Sequence, residues 1–176
     1  MTNNLIKFID TSVFPVALLI CAKVFGMVIV NNWLGLEWSF ISTDSSIYSI
    51  RIAYQNMDQA MQADSYSNLF MYLIMFIGFC LTLVQAYFFH DTHISPVVAS
   101  KLIDNVFVHF ISNSFEIFHR SSVWLILIWI TTIMIILSTL SGNTYIWIAV
   151  ISTLFTIMLS SLLAFDFERE LKLSSS

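Results

Sequence analysis

The chain has 176 residues, of which 58% are hydrophobic and only 10% are charged. A soluble domain carries about 25% charged residues, so this composition, with a mean hydropathy of +0.84, excludes an ordinary water-soluble domain and a disordered chain. The net charge of −4 excludes the basic surface that direct nucleic-acid binding requires. The sequence therefore predicts an all-α membrane protein that is surrounded by the lipid bilayer.

Four apolar runs are long enough to cross a bilayer, which takes about 20 helical residues. We expect Ser12 to cap the first helix and Pro15 to lie in its first turn, where a missing N–H does no harm. The length of this run and the lack of a cleavage site favour a retained helix over a signal peptide. A short polar turn between the last two runs predicts a helical hairpin. The predicted spans are residues 13–35, 68–90, 122–140 and 144–165.

Basic residues predict the orientation, because Lys and Arg accumulate in cytoplasmic loops. Five of the seven precede span one, lie between spans two and three, or follow span four. Arg51 alone lies in the segment 36–67 between spans one and two, and Lys23 lies within span one. We therefore expect both termini and the segment 91–121 to be cytoplasmic and the segment 36–67 to be external.

The external segment 36–67 contains an apolar stripe at helical spacing. Its members recur at steps of three and four residues, and with Asp44 or Ser45 as a cap they predict a short amphipathic helix. This helix either packs back on the membrane domain or docks a partner protein, because the same spacing suits a coiled-coil seam. The stripe consists of Ile47, Ile50, Tyr54, Met57 and Met61.

A second amphipathic helix is predicted over residues 95–120, within the cytoplasmic segment. Ser95 and Pro96 are typical of a helix start, and a broad apolar face opposite a polar face is typical of a helix in the membrane interface. A fifth span is the alternative, but it would place Lys101 and Asp104 in lipid at about 2.5 kcal/mol or more each. The polar face carries three candidate partner contacts, His109, Glu116 and Arg120.

Lys23 lies about midway along span one, where a charge is a functional-site candidate. No acidic residue lies near the middle of predicted spans two to four, and the nearest polar candidates by depth are Gln85, Asp10 and Asp166. Two alternatives stay open. Either the ammonium extends to the interface, or it pairs with an acid on another subunit, which makes Lys23 a partner-binding residue.

The sequence shows no pattern typical of catalysis. It lacks a nucleophile–base pair, a Gly-rich phosphate loop and zinc-ligand spacing, which favours a non-enzyme without a cofactor. Glu116 and His119 form one Glu-x-x-His unit, but a di-iron bundle needs two such units and further carboxylates, so no metal site is expected. Hydroxyl side chains at helical spacing predict a packing seam between the last two spans, with a pore lining as the alternative. The seam comprises Thr131, Thr132, Ser138, Thr139, Ser152, Thr156 and Ser160.

Two short motifs precede the last pair of spans. They are Asp104-Asn105 and Ser114-Phe115-Glu116…Phe118-His119-Arg120-Ser121. With the order of spans, they resemble a membrane-protein family of unknown molecular function found in integrating conjugative elements, in which a segment from Asp-Gly to Glu-Ser…Tyr-His-Arg-Ala precedes a hairpin. The basic run that the family has between the two motifs is missing here. The resemblance implies a protein of a bacterial inner membrane that is a component of a type IV secretion or conjugation apparatus, with a coupling ATPase as a partner.

These patterns lead to three functional hypotheses. The leading one is a non-catalytic subunit of a larger inner-membrane assembly, whose partners are other integral membrane subunits. The second is a small channel or transporter component. The third is the membrane anchor subunit of an oxidoreductase, with a metal or haem held by His109, Glu116 and His119.

Overall fold

The computed structural model describes residues 2–42, 50–88 and 114–174, and these residues form four helices and two short strands. The elements are α1 (Thr2–Trp33), β1 (Trp38–Ser42), β2 (Ile50–Tyr54), α2 (Met57–Phe88), α3 (Ser114–Leu140) and α4 (Ile146–Ser174). Each helix contains a stretch that is long and apolar enough to cross a membrane: Ser12–Trp33, Met57–Gln85, His119–Leu140 and Ile146–Phe165. The prediction of four helices that are long and apolar enough to span a membrane is confirmed.

Large apolar side chains are exposed along all four candidate spans. Phe25, Ile77, Leu137 and Leu154 are each more than half exposed. Such a surface would be an aggregation liability in water, but it is the surface that a membrane protein offers to lipid tails.

Two helices begin earlier than the apolar runs that identified them. Helix α1 begins at Thr2, so Pro15 lies inside the helix rather than in its first turn. Helix α2 begins at Met57 rather than at residue 68, directly after Asn56, a residue type favoured as a helix cap. The first turns of α2 are polar, so the apolar run that predicts this span begins only after them.

The predicted external helix is wrong for the part of it that the structure describes. Ile50 and Tyr54 belong to strand β2, which pairs antiparallel with β1, while Met57 and Met61 belong to α2 and Ile47 lies outside the described residues. The strand forms because Ile52 and Tyr54 lie on one face and each pairs across the ladder with an apolar residue of β1. The cross-strand pairs include Trp38 with Tyr54 and Phe40 with Ile52.

The structure also bears on the second amphipathic helix. Residues 95–113 lie outside the described residues, and so does His109. From Ser114 onward the chain is helical and runs without a break into the third candidate span.

The chain divides into two compact units. The turn unit comprises Leu18–Ile74 and Ile130–Thr156, and the terminal unit comprises Met1–Ala17, Met75–Trp129 and Ile157–Ser176. Buried apolar residues of the turn unit include Met71, Ile135 and Ile148, and those of the terminal unit include Phe79 and Ile128.

In the turn unit, residues 141–145 connect α3 to α4. The amide of Asn143 donates to the Ser138 carbonyl and the amide of Gly142 donates to the Thr139 carbonyl, each at 3.0 Å. These two bonds form the Schellman motif that ends many helices, and it requires a left-handed residue. Gly142 supplies that residue, with φ of +75°.

Candidate functional site in the turn unit

Lys23 forms an ion pair within its own chain. Its Nζ atom lies 2.7 Å from Asp64 Oδ1, 2.9 Å from Ser67 Oγ and 2.5 Å from Asn68 Oδ1. A lysine ammonium has three N–H donors, so these three contacts use all of them. Asp64, Ser67 and Asn68 present their side chains to one ammonium because residues three and four apart share a face of α2.

The second oxygen of Asp64 accepts hydrogen bonds from the other side. Asn68 Nδ2 donates to Asp64 Oδ2 at 3.0 Å and to Thr144 Oγ1 at 2.8 Å. The hydroxyls of Ser138 and Thr144 lie 2.7 Å and 3.0 Å from Asp64 Oδ2, and 2.7 Å from each other. The carboxylate is therefore bound by one ammonium, one amide and two hydroxyl groups.

We call this group the Lys23–Asp64 cluster, and it consists of Lys23, Asp64, Ser67, Asn68, Ser138 and Thr144. It joins α1, α2, α3 and the turn before α4 within the turn unit. A single unpaired charge at the centre of a membrane span costs about 2.5–3.5 kcal/mol on the insertion scale. Pairing and hydrogen bonding offset this cost here, which explains how Lys23 can lie within an otherwise apolar span.

A cavity of about 580 Å³ lies against the cluster. Asp64 and Ser138 of the cluster line it, and α1, β2, α2 and the turn after α3 contribute the remaining walls. Met57 at its rim is 80% exposed. The other lining residues are Met27, Ile52, Tyr54, Met57, Ala60, Met61, Gly142 and Asn143.

A hydrogen bond holds β2 beside this cavity. The Tyr54 hydroxyl donates to Asn31 Oδ1 at 3.2 Å, and Asn31 is buried near the end of α1. Gln55, next along the chain, donates to the carboxylate of Glu37. The wall formed by Ile52 and Tyr54 is therefore tied to α1.

The structure corrects the two alternatives considered for Lys23, because the ammonium has an acidic partner in the same chain. The sequence pattern does not identify Asp64 as the partner, because Asp64 falls in the predicted external segment 36–67 and therefore outside the predicted spans. The signal that could have identified Asp64 is a polar helix face. It is made by Asp64, Ser67 and Asn68 and continues without a helix breaker into an apolar run. The unpaired charge was one ground for expecting a partner subunit, and that ground is removed.

Part of the predicted hydroxyl seam forms contacts between helices. In the turn unit, Thr132 and Thr156 are buried and lie 2.8 Å apart at their hydroxyls. The Tyr72 hydroxyl donates to the Ser152 carbonyl at 2.9 Å and lies 3.0 Å from Thr156 Oγ1. These groups bond to one another, as expected for a seam that joins helices.

The other predicted site residues lie in the terminal unit or outside the described residues. Arg120 donates to Gln85 Oε1 at 2.8 Å and so bonds α3 to α2. His119 and Glu116 belong to α3, but the side chain of Glu116 is outside the described set. Among the described residues there is no group of three or more His, Cys, Asp and Glu side chains that could hold a metal.

Comparison with protein-family models, with curated proteins and with solved structures finds no match for this chain.

Proposed function

We propose that this chain binds a small solute beside Asp64 and serves as a channel or transporter component of the membrane. The observation that supports the proposal is that an ion-paired carboxylate lies in the wall of a cavity of about 580 Å³ with largely apolar walls. Small-molecule sites typically have a volume of about 300–1,000 Å³, apolar walls and a few convergent polar groups.

The charge distribution indicates which solutes the cavity favours. Asp64 lines the cavity, whereas Lys23 approaches the carboxylate without being one of the described lining residues. The cavity therefore adjoins the negative end of the ion pair. This arrangement favours a solute that carries a positive charge or hydrogen-bond donors over an anion.

The exposure of the pair also supports a binding role. The side chains of Lys23 and Asp64 are 26% and 28% exposed, whereas the hydroxyls of Thr132 and Thr156 in the seam are fully buried. A cluster that served only to join helices would gain from full burial, because water competes for its hydrogen bonds. The proposed solute path accordingly starts at the cavity rather than at the seam.

The hypothesis of a subunit in a secretion or conjugation assembly stays a prediction that rests on the resemblance. A pull-down of the tagged chain in mild detergent, with mass spectrometry of co-purifying proteins, measures it. Stoichiometric recovery of other membrane subunits is the expected result for a subunit. Recovery of the chain alone would contradict this hypothesis and leave the solute-binding proposal standing.

Uptake into proteoliposomes tests the proposed function. The full chain is reconstituted and tested with rubidium-86, carbon-14 methylammonium, a carbon-14 amino-acid mixture and silver-110m. We expect uptake of at least one solute above that of protein-free vesicles, with a strong reduction in Asp64→Asn. Asp58→Asn is the matched control, because Asp58 lies on the same helix, is exposed and is outside the cavity lining.

A second variant tests the cavity in case Asp64→Asn reduces uptake only by misfolding. Ala60→Leu narrows the cavity without altering the ion pair, since Ala60 lines the cavity and is outside the Lys23–Asp64 cluster. We expect Ala60→Leu to reduce uptake as well. Uptake that neither variant changes, or no uptake of any of the four solutes, would overturn the proposal.

A further inference from the structure

Methionine is concentrated around the cavity. Three of its ten lining residues are methionines, although the whole chain has only eight in 176 residues. Met57 and Met61 are one turn apart on α2, and Met27 comes from α1. Three thioether side chains from two helices therefore border one space.

Along α2, two of these methionines lie between the rim of the cavity and the Asp64 carboxylate. Met57, Met61 and Asp64 are spaced by four and three residues, so they follow one face of the helix. Met57 is 80% exposed, Met61 is partly buried, and Asp64 is held by Lys23 beyond them. An ion that enters at Met57 would meet a second thioether one turn later and then a carboxylate.

Thioether sulfur is a soft ligand. It favours Cu(I) over hard cations such as Na⁺, Mg²⁺ and Ca²⁺, which prefer oxygen ligands. A soft ion does not need several carboxylates, so the single acidic residue in the lining suits it better than a hard divalent cation. The ion pair is neutral as a whole, but its carboxylate end adjoins the cavity and orients the negative end of the dipole toward a cation there.

We propose that this cavity binds a soft monovalent metal ion, Cu(I) or its analogue Ag(I), through the thioethers of Met27, Met57 and Met61. This inference rests on the proposed function and names the class of its solute. An organic ammonium ion is the competing occupant, since it would be drawn to the same carboxylate. Its recognition would depend on cavity shape and charge and not on sulfur.

Leucine substitution separates the role of sulfur from that of packing. Leucine is apolar and close to methionine in volume, so such exchanges disturb packing little. If the three methionines only fill space, Met→Leu variants keep their ligand. If sulfur binds the ion, the same variants lose it while the fold is maintained.

The test is Ag(I) binding to the purified full chain in lipid nanodiscs, measured by calorimetry in chloride-free buffer with silver nitrate. We expect one site per chain. Even outer-shell groups around a metal change its affinity by about 10- to 100-fold, so we expect Met61→Leu to weaken binding by about 100-fold. We expect the variant with all three leucines to abolish binding.

Matched controls use methionines away from the cavity. Met134→Leu replaces an exposed methionine of the same unit, and Met71→Leu replaces a buried one on α2. Both should bind Ag(I) as the wild type does. X-ray absorption spectra of the Cu(I)-loaded protein should show sulfur atoms in the coordination shell of the copper. This sulfur signal should disappear in the variant with three leucines.

The outcomes distinguish this inference from the proposed function. Ag(I) binding that depends on the three methionines, without uptake of silver-110m or of any other solute, supports the metal site and contradicts transport. Uptake of methylammonium without methionine-dependent Ag(I) binding supports transport and overturns the metal site. Ag(I) binding that Met134→Leu weakens as much as Met61→Leu does would also overturn the metal site.

Discussion

The Lys23 ammonium on α1 lies 2.7 Å from the Asp64 carboxylate on α2, and the two residues are 41 positions apart in the chain. This ion pair joins the two ends of the segment 23–64, which contains the β1–β2 hairpin. Within the Lys23–Asp64 cluster, the other hydrogen-bond partners of both groups are neutral polar side chains. Removal of either charge therefore leaves the other without its counter-ion in this cluster.

A double-mutant cycle measures the strength of this pair. We expect Asp64→Leu alone to lower the free energy of unfolding by about 3 kcal/mol, because it leaves the Lys23 ammonium uncompensated. The double variant Lys23→Met with Asp64→Leu should recover most of this loss, since it removes both charges. Unfolding in mixed micelles, followed by circular dichroism, supplies the free energies.

Asp58→Asn serves as the control for this cycle, and it should change stability by no more than about 0.5 kcal/mol. The interaction has a specific signature, namely a double variant that is more stable than the sum of the two single losses predicts. Strict additivity would show that the pair contributes nothing to folding.

The four apolar spans could be predicted because lipid requires long runs of apolar residues, and such runs stand out in any sequence. The start of α2 could not be found in this way. Its first turns carry Asp58, Gln59 and Gln62, which lower the local hydropathy although the backbone is already helical. The missing turns contained Asp64, so an error in one helix boundary concealed the central ion pair.

The hairpin illustrates a different limit. Ile50 and Tyr54 are four residues apart, so they fit an apolar helix face, but together with Ile52 they also fit one face of a strand. Periodicity over so few residues does not distinguish the two. Pairing with Trp38 and Phe40 decides in favour of the strand, and that information lies in tertiary structure.

The seam in the turn unit predicts the effect of Tyr72→Phe. This change removes a buried hydroxyl that donates to the Ser152 carbonyl and lies beside Thr156. We expect a loss of about 1 kcal/mol in the free energy of unfolding, measured in the same micelles. The control is Tyr66→Phe, which keeps the edge-to-face ring contact with Tyr145 and should be nearly neutral. Equal losses in both variants would contradict a specific role for the Tyr72 hydroxyl.

Close packing in the terminal unit predicts that Gly78→Ala is destabilising. A Cβ atom at Gly78 would overlap the ring of Trp124, a buried residue of α3. Alanine normally stabilises a helix relative to glycine by about 1 kcal/mol, so a loss of about 1–3 kcal/mol from overpacking reverses the usual sign. Thermal unfolding of the purified chain measures the change.

The rescue experiment for this contact adds Trp124→Leu to Gly78→Ala. Leucine frees the space that the new methyl group needs, so Gly78→Ala should be far less harmful in the Trp124→Leu background than alone. An identical effect in both backgrounds would show that the overlap with Trp124 is not the cause.

The distribution of basic residues predicts the orientation in the membrane. A green fluorescent protein fused after Ser176 should fluoresce in a bacterial expression host, because this reporter matures on the cytoplasmic side. An alkaline phosphatase inserted after Gly142 should be active, because that enzyme requires the external side. The reverse pattern, a dark C-terminal fusion and an inactive insertion, would show that the five basic residues do not set the topology.

The saturated ammonium of Lys23 also constrains how this protein can change over generations. Its three donors are all engaged by Asp64, Ser67 and Asn68, so a single substitution at Asp64 passes through a chain with an uncompensated charge in the membrane. A single substitution at Lys23 leaves Asp64 uncompensated in the same way, so loss of the pair is tolerable only when both charges go together. Drift at these two positions is therefore expected to be correlated.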